Sequence, residues 1–168
     1  MSHIQIQKAN IVELATDCIV NAANEELWAG SGVCGAIFSA AGYDELTRAC
    51  DAIGHCDTGS AVITPGFRLK ARHIIHAVGP IWRGGNNGEA KQLYSCYYTS
   101  LTLAMANNCH SIAFPLISSG IFGYPKEQAW QVAIQSCRDF IRDHADYDID
   151  ITFAVLNDAI LQLGEAAL

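Results

Sequence analysis

Short apolar runs of strand character alternate with longer segments of helical periodicity along the whole chain, and this alternation restricts the fold more than any single motif does. His3-Ile4-Gln5-Ile6-Gln7 alternates with period two and predicts a strand. Cys18-Ile19-Val20 is a short apolar run ending at Asn21, the pattern of a buried parallel strand. Ala61 to Thr64 and His73 to Ala77 read as two more strands, closed by turns at Pro65-Gly66 and Gly79-Pro80. Ile112-Ala113-Phe114 is a strand that breaks at Pro115, and Ile149 to Leu156 predicts the last one. Helices are expected through Ala36 to Ala41, with Gly42 as the cap, and over Tyr43 to Ile53. Three more are expected: Glu89 to Ala106, Pro125 to Asp143 with Pro125 in the first turn, and Asp158 to Leu163. Such a sequence folds as an α/β sandwich with a largely parallel sheet, and ligands in such sheets sit outside the carboxyl ends of the strands.

The chain has 168 residues, enough for one domain with one substantial core, and the expected unit is a single domain over 1–168. No apolar run approaches the ~20 residues of a membrane span. Met1 to Gln5 shows no basic region leading into an apolar block, so no secretory signal is read. The seven cysteines are an odd number, lack the spacing of a disulfide framework and include no C-x-x-C pair, which points to a reducing, cytoplasmic setting. The net charge of −7, with ten basic residues scattered along the chain, argues against a nucleic-acid surface, so direct nucleic-acid binding is not expected. An acidic protein can still hold one phosphate-bearing small molecule if backbone amides supply the positive ends.

Two loops are built for that. Gly30-Ser31-Gly32-Val33-Cys34-Gly35 follows a strand and runs into a helix, whose free N–H groups and dipole favour an anion. Ser118-Ser119-Gly120-Ile121-Phe122-Gly123 has the same construction and adds two hydroxyls. Either loop alone is an ordinary connector; together they can hold the two phosphates of a diphosphate without a lysine. No Gly-Lys-Ser/Thr follows the first loop, so it is not a P-loop.

The run Ile19-Val20-Asn21-Ala22-Ala23-Asn24, the first glycine loop with Ala36-Ile37, and Ala40-Ala41-Gly42 closely resemble the first loop of macro domains. Three more stretches resemble the same family in the same order: Thr58 to Thr64, Ile75 to Pro80, and Phe114 to Pro125. The resemblance covers nearly the whole chain and is greatest to the branch of MacroD-type hydrolases and O-acetyl-ADP-ribose deacetylases. It implies a three-layer α/β/α sandwich with a mixed, largely parallel sheet. It implies ADP-ribose, free or on an ADP-ribosylated protein, as ligand, and hydrolysis of ADP-ribosyl esters or of O-acetyl-ADP-ribose, with no cofactor and no metal.

By the same resemblance Asn10 and Ile11 meet the adenine edge, with Leu156 packing on the ring. Ala22, Ser31, Gly32, Val33 and Gly35, with Ser118, Ser119, Gly120, Ile121 and Phe122, contact the rest of the ligand, the two loops wrapping the diphosphate. Asn24 hydrogen-bonds the distal ribose, where the chemistry occurs. Two positions depart from the family. Asn10 stands where Asp is usual, so its carbonyl oxygen accepts from the adenine amino group without charge assistance. Cys34 stands where the hydrolases carry a catalytic Asp, ten positions after the loop Asn. A thiol of pKa ~8.5 is a poor base at neutral pH. Water activation by the substrate's own phosphate, Cys34 as base or nucleophile, and a reader that binds without cleaving all remain open.

The other reactive side chains have plainer readings. Cys18, Cys96, Cys109 and Cys137 fall in strands, helices or their ends and are read as packing. Cys50, His55 and Cys56 match no common zinc spacing. His76 is read as a satisfied core histidine. Glu25, Glu26, Asp44 and Asp57 are read as surface charges, Glu26 alone able to replace the missing Asp if its loop folds inward. Trp28 is expected to pack under the first loop, and Arg83 to Gly88 to be a mobile turn.

Overall fold

The computed structural model describes residues 1–168. Its six strands are β1 (His3–Lys8), β2 (Cys18–Ala22), β3 (Ala61–Pro65), β4 (His73–Ala77), β5 (Ser111–Phe114) and β6 (Asp150–Val155). Five α-helices connect them: α1 (Gly32–Ala41), α2 (Tyr43–Ile53), α3 (Glu89–Ala106), α4 (Lys126–Asp143) and α5 (Asp158–Ala167). The sheet order is β1-β6-β5-β2-β4-β3. Every pairing is parallel except that of β3 with β4. The fold is therefore the expected α/β sandwich with a mixed, mostly parallel sheet.

The period of two in the strands decides which layer each side chain enters. Ile19, Ile74, Ala113 and Ala154 face α1 and α2, in a core of 16 buried residues. Val20, Ile75, Ile112, Phe114, Ile151 and Phe153 face α3 and α4, in a larger core of 26 that takes nearly all the buried aromatic rings. The small residues on the α1 side leave space near the strand ends, and that is where the cleft opens. From the central pair β5 and β2 the chain continues to opposite edges: β2 leads on to β3 and β4, and β5 leads to β6. The carboxyl ends of that pair form the switch point where a ligand is expected.

Several boundaries differ from the sequence reading, and the largest shift is that α1 starts at Gly32, inside the expected glycine loop, rather than at Ala36. Pro65 is the last residue of β3 rather than part of a turn, a place open to it because β3 is an edge strand. Pro125 is the N-cap of α4, with ψ 127°, so the helix proper starts at Lys126. The last helix continues past Leu163 to Ala167. The Arg83–Gly88 segment is also more than a mobile turn. The buried Glu89 carboxylate accepts from the backbone N–H groups of Arg83 (2.9 Å), Gly85 (3.0 Å) and Asn87 (2.7 Å). The Arg83 N–H leads these donors in holding the Glu89 carboxyl down to about 2. No helix is long and apolar enough to cross a membrane.

Candidate functional site

A cleft of about 640 Å³ opens at the carboxyl ends of β1, β2, β5 and β6. Of its 24 lining residues 14 are hydrophobic, and none is Asp, Glu, His, Lys or Arg. Whatever charge the cleft accommodates must therefore be met by backbone and neutral side-chain dipoles.

One end is a slot between the segments that follow β1 and β6. Asn10 caps a short 3₁₀ turn over Ile11–Glu13, its side-chain oxygen accepting from the Val12 N–H at 3.3 Å. That oxygen thus already holds one bond, with a second lone pair left. Ile11 lies buried beneath, and Leu156, 67% exposed, stands at the rim. Ala154, Asn157 and Ile160 complete this end. None of the three was singled out from the sequence. Only Asn157 carried a signal there, as a turn-forming residue just past an apolar strand.

The first glycine loop walls the middle. Ser31 is the N-cap of α1, and its hydroxyl makes no capping bond. The opening N–H groups of a helix have no intrahelical acceptor, so those from Gly32 onward are left as donors at the cleft wall. Gly32 sits at φ +59°, a conformation costly for any other residue. Gly32 and Val33 line the cleft, as Ala22 does; Gly35 does not. Gly35 packs against the first loop's own backbone, since a Cβ there would lie 2.6 Å from the Gly30 carbonyl oxygen.

The second loop faces it. Ser118 adopts φ +67° while nearly fully buried, an uncommon state for a non-glycine residue. Its carbonyl accepts from the Tyr124 N–H at 2.9 Å, and the Gly120 carbonyl accepts from the Gly123 N–H at 3.0 Å. These bonds pin the loop, while the N–H groups of Gly120, Ile121 and Phe122 have no partner in the protein. The Ser118 hydroxyl is buried and unpaired as well. Ser118, Ser119, Gly120, Ile121 and Phe122 all line the cleft. Gly79, from the β4 exit, lets this loop sit close: a Cβ there would lie 2.2 Å from Ser118 Oγ.

At the far end Asn24 and Cys34 come together around the Trp28 main chain. Asn24 Oδ1 accepts from the Trp28 N–H at 2.9 Å, and Asn24 Nδ2 donates to the Trp28 carbonyl at 3.0 Å. The Cys34 thiol, 6% exposed, donates to the same carbonyl at 3.7 Å. Behind it Asn21 Nδ2 donates to Cys34 Sγ at 3.6 Å and lies 3.0 Å from His76 Nδ1. His76 Nε2 reaches Thr64 Oγ1 at 3.0 Å, and Thr64 Oγ1 donates to the Pro65 carbonyl at 3.2 Å. This pattern makes His76 a neutral imidazole, accepting at Nδ1 and donating at Nε2. Burial pushes its pKa down to about 4. His76 is thus a satisfied core residue, and sequence reasoning had not foreseen that it supports the residue that supports Cys34.

Two expectations are corrected here. Trp28 is not packed under the loop: it is 64% exposed, because Leu27, at φ +60° and 2% exposed, takes the buried place. Glu26 does not fold inward; it lies exposed in a turn closed by the Leu27 N–H to the Asn24 carbonyl at 3.0 Å. The zinc trio does not converge either, since Cys50 faces His76 in the core while His55 pairs with Asp57 at the surface.

A sequence model of the macro domain matches residues 20–133, the stretch that holds both loops. The chain belongs to the macro domain family. Among its relatives, a macro domain-containing protein of Chlorobaculum tepidum is 49% identical over 161 residues, covering 96% of this chain and 92% of that one. The O-acetyl-ADP-ribose deacetylase of Salmonella typhimurium is 49% identical over 148 residues, covering 86% of this chain and 82% of its own. Among solved structures, an Oceanobacillus iheyensis macrodomain with ADP superposes with a TM-score of 0.90 at 35% identity, over 96% of this chain and 87% of that one. A Trypanosoma brucei macrodomain in complex with ADP-ribose gives 0.90 at 34% identity, over 98% of this chain and 68% of the other. This macro domain thus has a cleft with a thiol at its inner end and no carboxylate along its walls.

Proposed function

We propose that this macro domain binds ADP-ribose and hydrolyses ADP-ribosyl esters on proteins or the acetyl ester of ADP-ribose. The observation that carries the reading is the pairing of two loops with unpartnered N–H donors across an otherwise apolar, uncharged cleft. Such donors suit a diphosphate, because fixed dipoles need no reorganisation to receive it. The apolar slot of Ile11 and Leu156 suits a flat base, and a second lone pair on Asn10 Oδ1 suits its amino group. Asn24 keeps one N–H and one lone pair for a ribose hydroxyl after its two bonds to Trp28. Relatives named O-acetyl-ADP-ribose deacetylase, at 49% identity, support the hydrolytic part.

The cleft supplies no carboxylate or imidazole to take a proton from water. On this reading a phosphate oxygen of the bound substrate accepts that proton, and Asn24 orients the distal ribose against the attacking water. The second reading, a module that recognises ADP-ribose without cleaving it, is favoured by the same lack of a base together with Cys34 in the buried hydrogen-bonded position. A single-turnover assay on an ADP-ribosylated acidic protein and on O-acetyl-ADP-ribose separates them. Release by wild type that is abolished in Asn24→Ala establishes the hydrolase. Binding of ADP-ribose with no release, and activity gained only in Cys34→Asp, establishes the reader. Wild-type turnover in Asn24→Ala would move the chemistry elsewhere in the cleft.

A further inference from the structure

The Trp28 indole lines no part of the cleft, although its main chain anchors Asn24 and Cys34 there. Leu27 occupies the buried position in a left-handed backbone state, which turns the next side chain to solvent. The Trp28 main chain is then fixed at both its N–H and its carbonyl by Asn24. The indole is 64% exposed, and it does not line the cleft, whereas Asn24, Gly30 and Cys34 on either side of it do. A large aromatic surface on a fixed backbone, next to the end of the cleft but outside it, is placed for whatever extends beyond the bound nucleotide. An indole anchored in this way gives contact area at small entropic cost.

The turn that leads to the ring carries carboxylates and no lysine or arginine. The turn exposes Glu25 and Glu26, and Asp57, paired with His55 at 2.8 Å, lies close to Glu25. Neither rim loop, 24–35 or 115–125, contains a lysine or arginine. A nucleic-acid chain attached to ADP-ribose would bring phosphates against these carboxylates. A polypeptide with lysine or arginine near its modified residue would bring a cation to both the carboxylates and the face of the indole.

We propose that Trp28 is a specificity-determining residue that recognises the polypeptide carrying the ADP-ribose, with a preference for cationic side chains next to the modified position. This rests on the reading of the cleft as an ADP-ribose site, but not on its cleaving anything. The side chain makes no contact that ADP-ribose alone requires, so its effect is confined to the acceptor.

The test uses binding, so a protein that reads without cleaving answers it equally well. Affinities are measured for free ADP-ribose, for a lysine- and arginine-flanked peptide bearing ADP-ribose through a non-hydrolysable link, for the same peptide with glutamate flanks, and for an oligonucleotide with a terminal ADP-ribose. Wild type binds the basic peptide more tightly than ADP-ribose alone. Trp28→Ala weakens the basic peptide about three- to tenfold and leaves ADP-ribose unchanged; Trp28→Phe recovers part of the loss; Glu26→Lys lowers the preference for basic over acidic flanks. Equal peptide affinity in wild type and Trp28→Ala overturns the proposal, as does equal weakening of ADP-ribose and peptide, or tightest binding to the oligonucleotide. Failure of wild type to bind ADP-ribose at all is a different result: it overturns the reading of the cleft, and the proposal with it.

Discussion

Cys34 and Asn24 share one acceptor, the Trp28 carbonyl, so the two candidate residues of the distal end are coupled through a main-chain atom rather than through each other. Replacing Cys34 by Ala removes two weak sulfur bonds and little volume. It leaves Asn24 in place, and the expected cost in stability is about 1 kcal/mol. Replacing it by Asp puts a carboxylate where the Asn21 amide already donates. If the cleft lacks only a base, turnover in single-turnover assays rises about tenfold or more over wild type. A rate unchanged in Cys34→Asp would mean that the bound phosphate already does this work. Gly35 is the other residue whose role is tightly defined. Gly35→Ala drives a methyl into the Gly30 carbonyl and should cost about 1–3 kcal/mol by denaturant unfolding, because neither backbone can move without shifting α1.

The loops owe their form to the elements that flank them. The second loop is pressed against the β4 exit, with Gly79 as the only residue there that leaves room for Ser118 and Ile117. Gly79→Ala should push the loop into the cleft and weaken ADP-ribose binding about tenfold or more, measured by calorimetry, while the fold persists. Undiminished affinity in that variant would mean the loop's position does not govern binding. Such a contact between the β4 exit and the β5 exit could not be read from the sequence, where Gly79-Pro80 marks only a turn. The glycine spacing of the loops themselves was legible, because strand, glycine run and helix follow one another within about a dozen residues. The Arg83–Gly88 segment shows the reverse case. Its glycines signalled a loose turn, and the ordering comes from Glu89, whose side chain folds back on three N–H groups.

Across the whole molecule the buried polar path from Cys34 through Asn21 and His76 to Thr64 crosses β2, β4 and β3 within the smaller core. It ties the cleft to the pH behaviour of the fold. His76 titrates near 4 in the native state, against an ordinary histidine value of 6.5, because burial penalises its charged form. The unfolded chain therefore binds a proton that the native state refuses, and stability falls as pH drops from about 6.5 toward 4. The loss approaches at most about 3 kcal/mol once both states are protonated. Denaturant midpoints measured from pH 7.5 to 4.5 should fall in wild type and flatten in a His76→Gln variant that still folds. An unchanged slope in that variant would assign the acid sensitivity to another group. Cys34, in the first glycine loop, lies at the other end of this path, so on the proposed reading weakened ADP-ribose binding should accompany the same acid transition.

The sequence by itself determined the alternation of strands and helices and the glycine loops at the strand ends. Each of these depends on residues within one turn or one strand of each other, where periodicity and backbone freedom act directly. Asn24 and Cys34 came forward through the resemblance to macro domains, whose motif they match residue by residue. The tertiary structure alone decided that Trp28 faces solvent and Leu27 the core, that Glu26 stays outside, and that no charged side chain reaches the cleft. It also decided that Asn21 meets His76, 55 residues away, because the register of β2 on β4 sets them side by side. Such pairings follow from sheet register and from competition for buried space. Neither is a property of any short stretch of chain, and so neither could be read before the strands were in place.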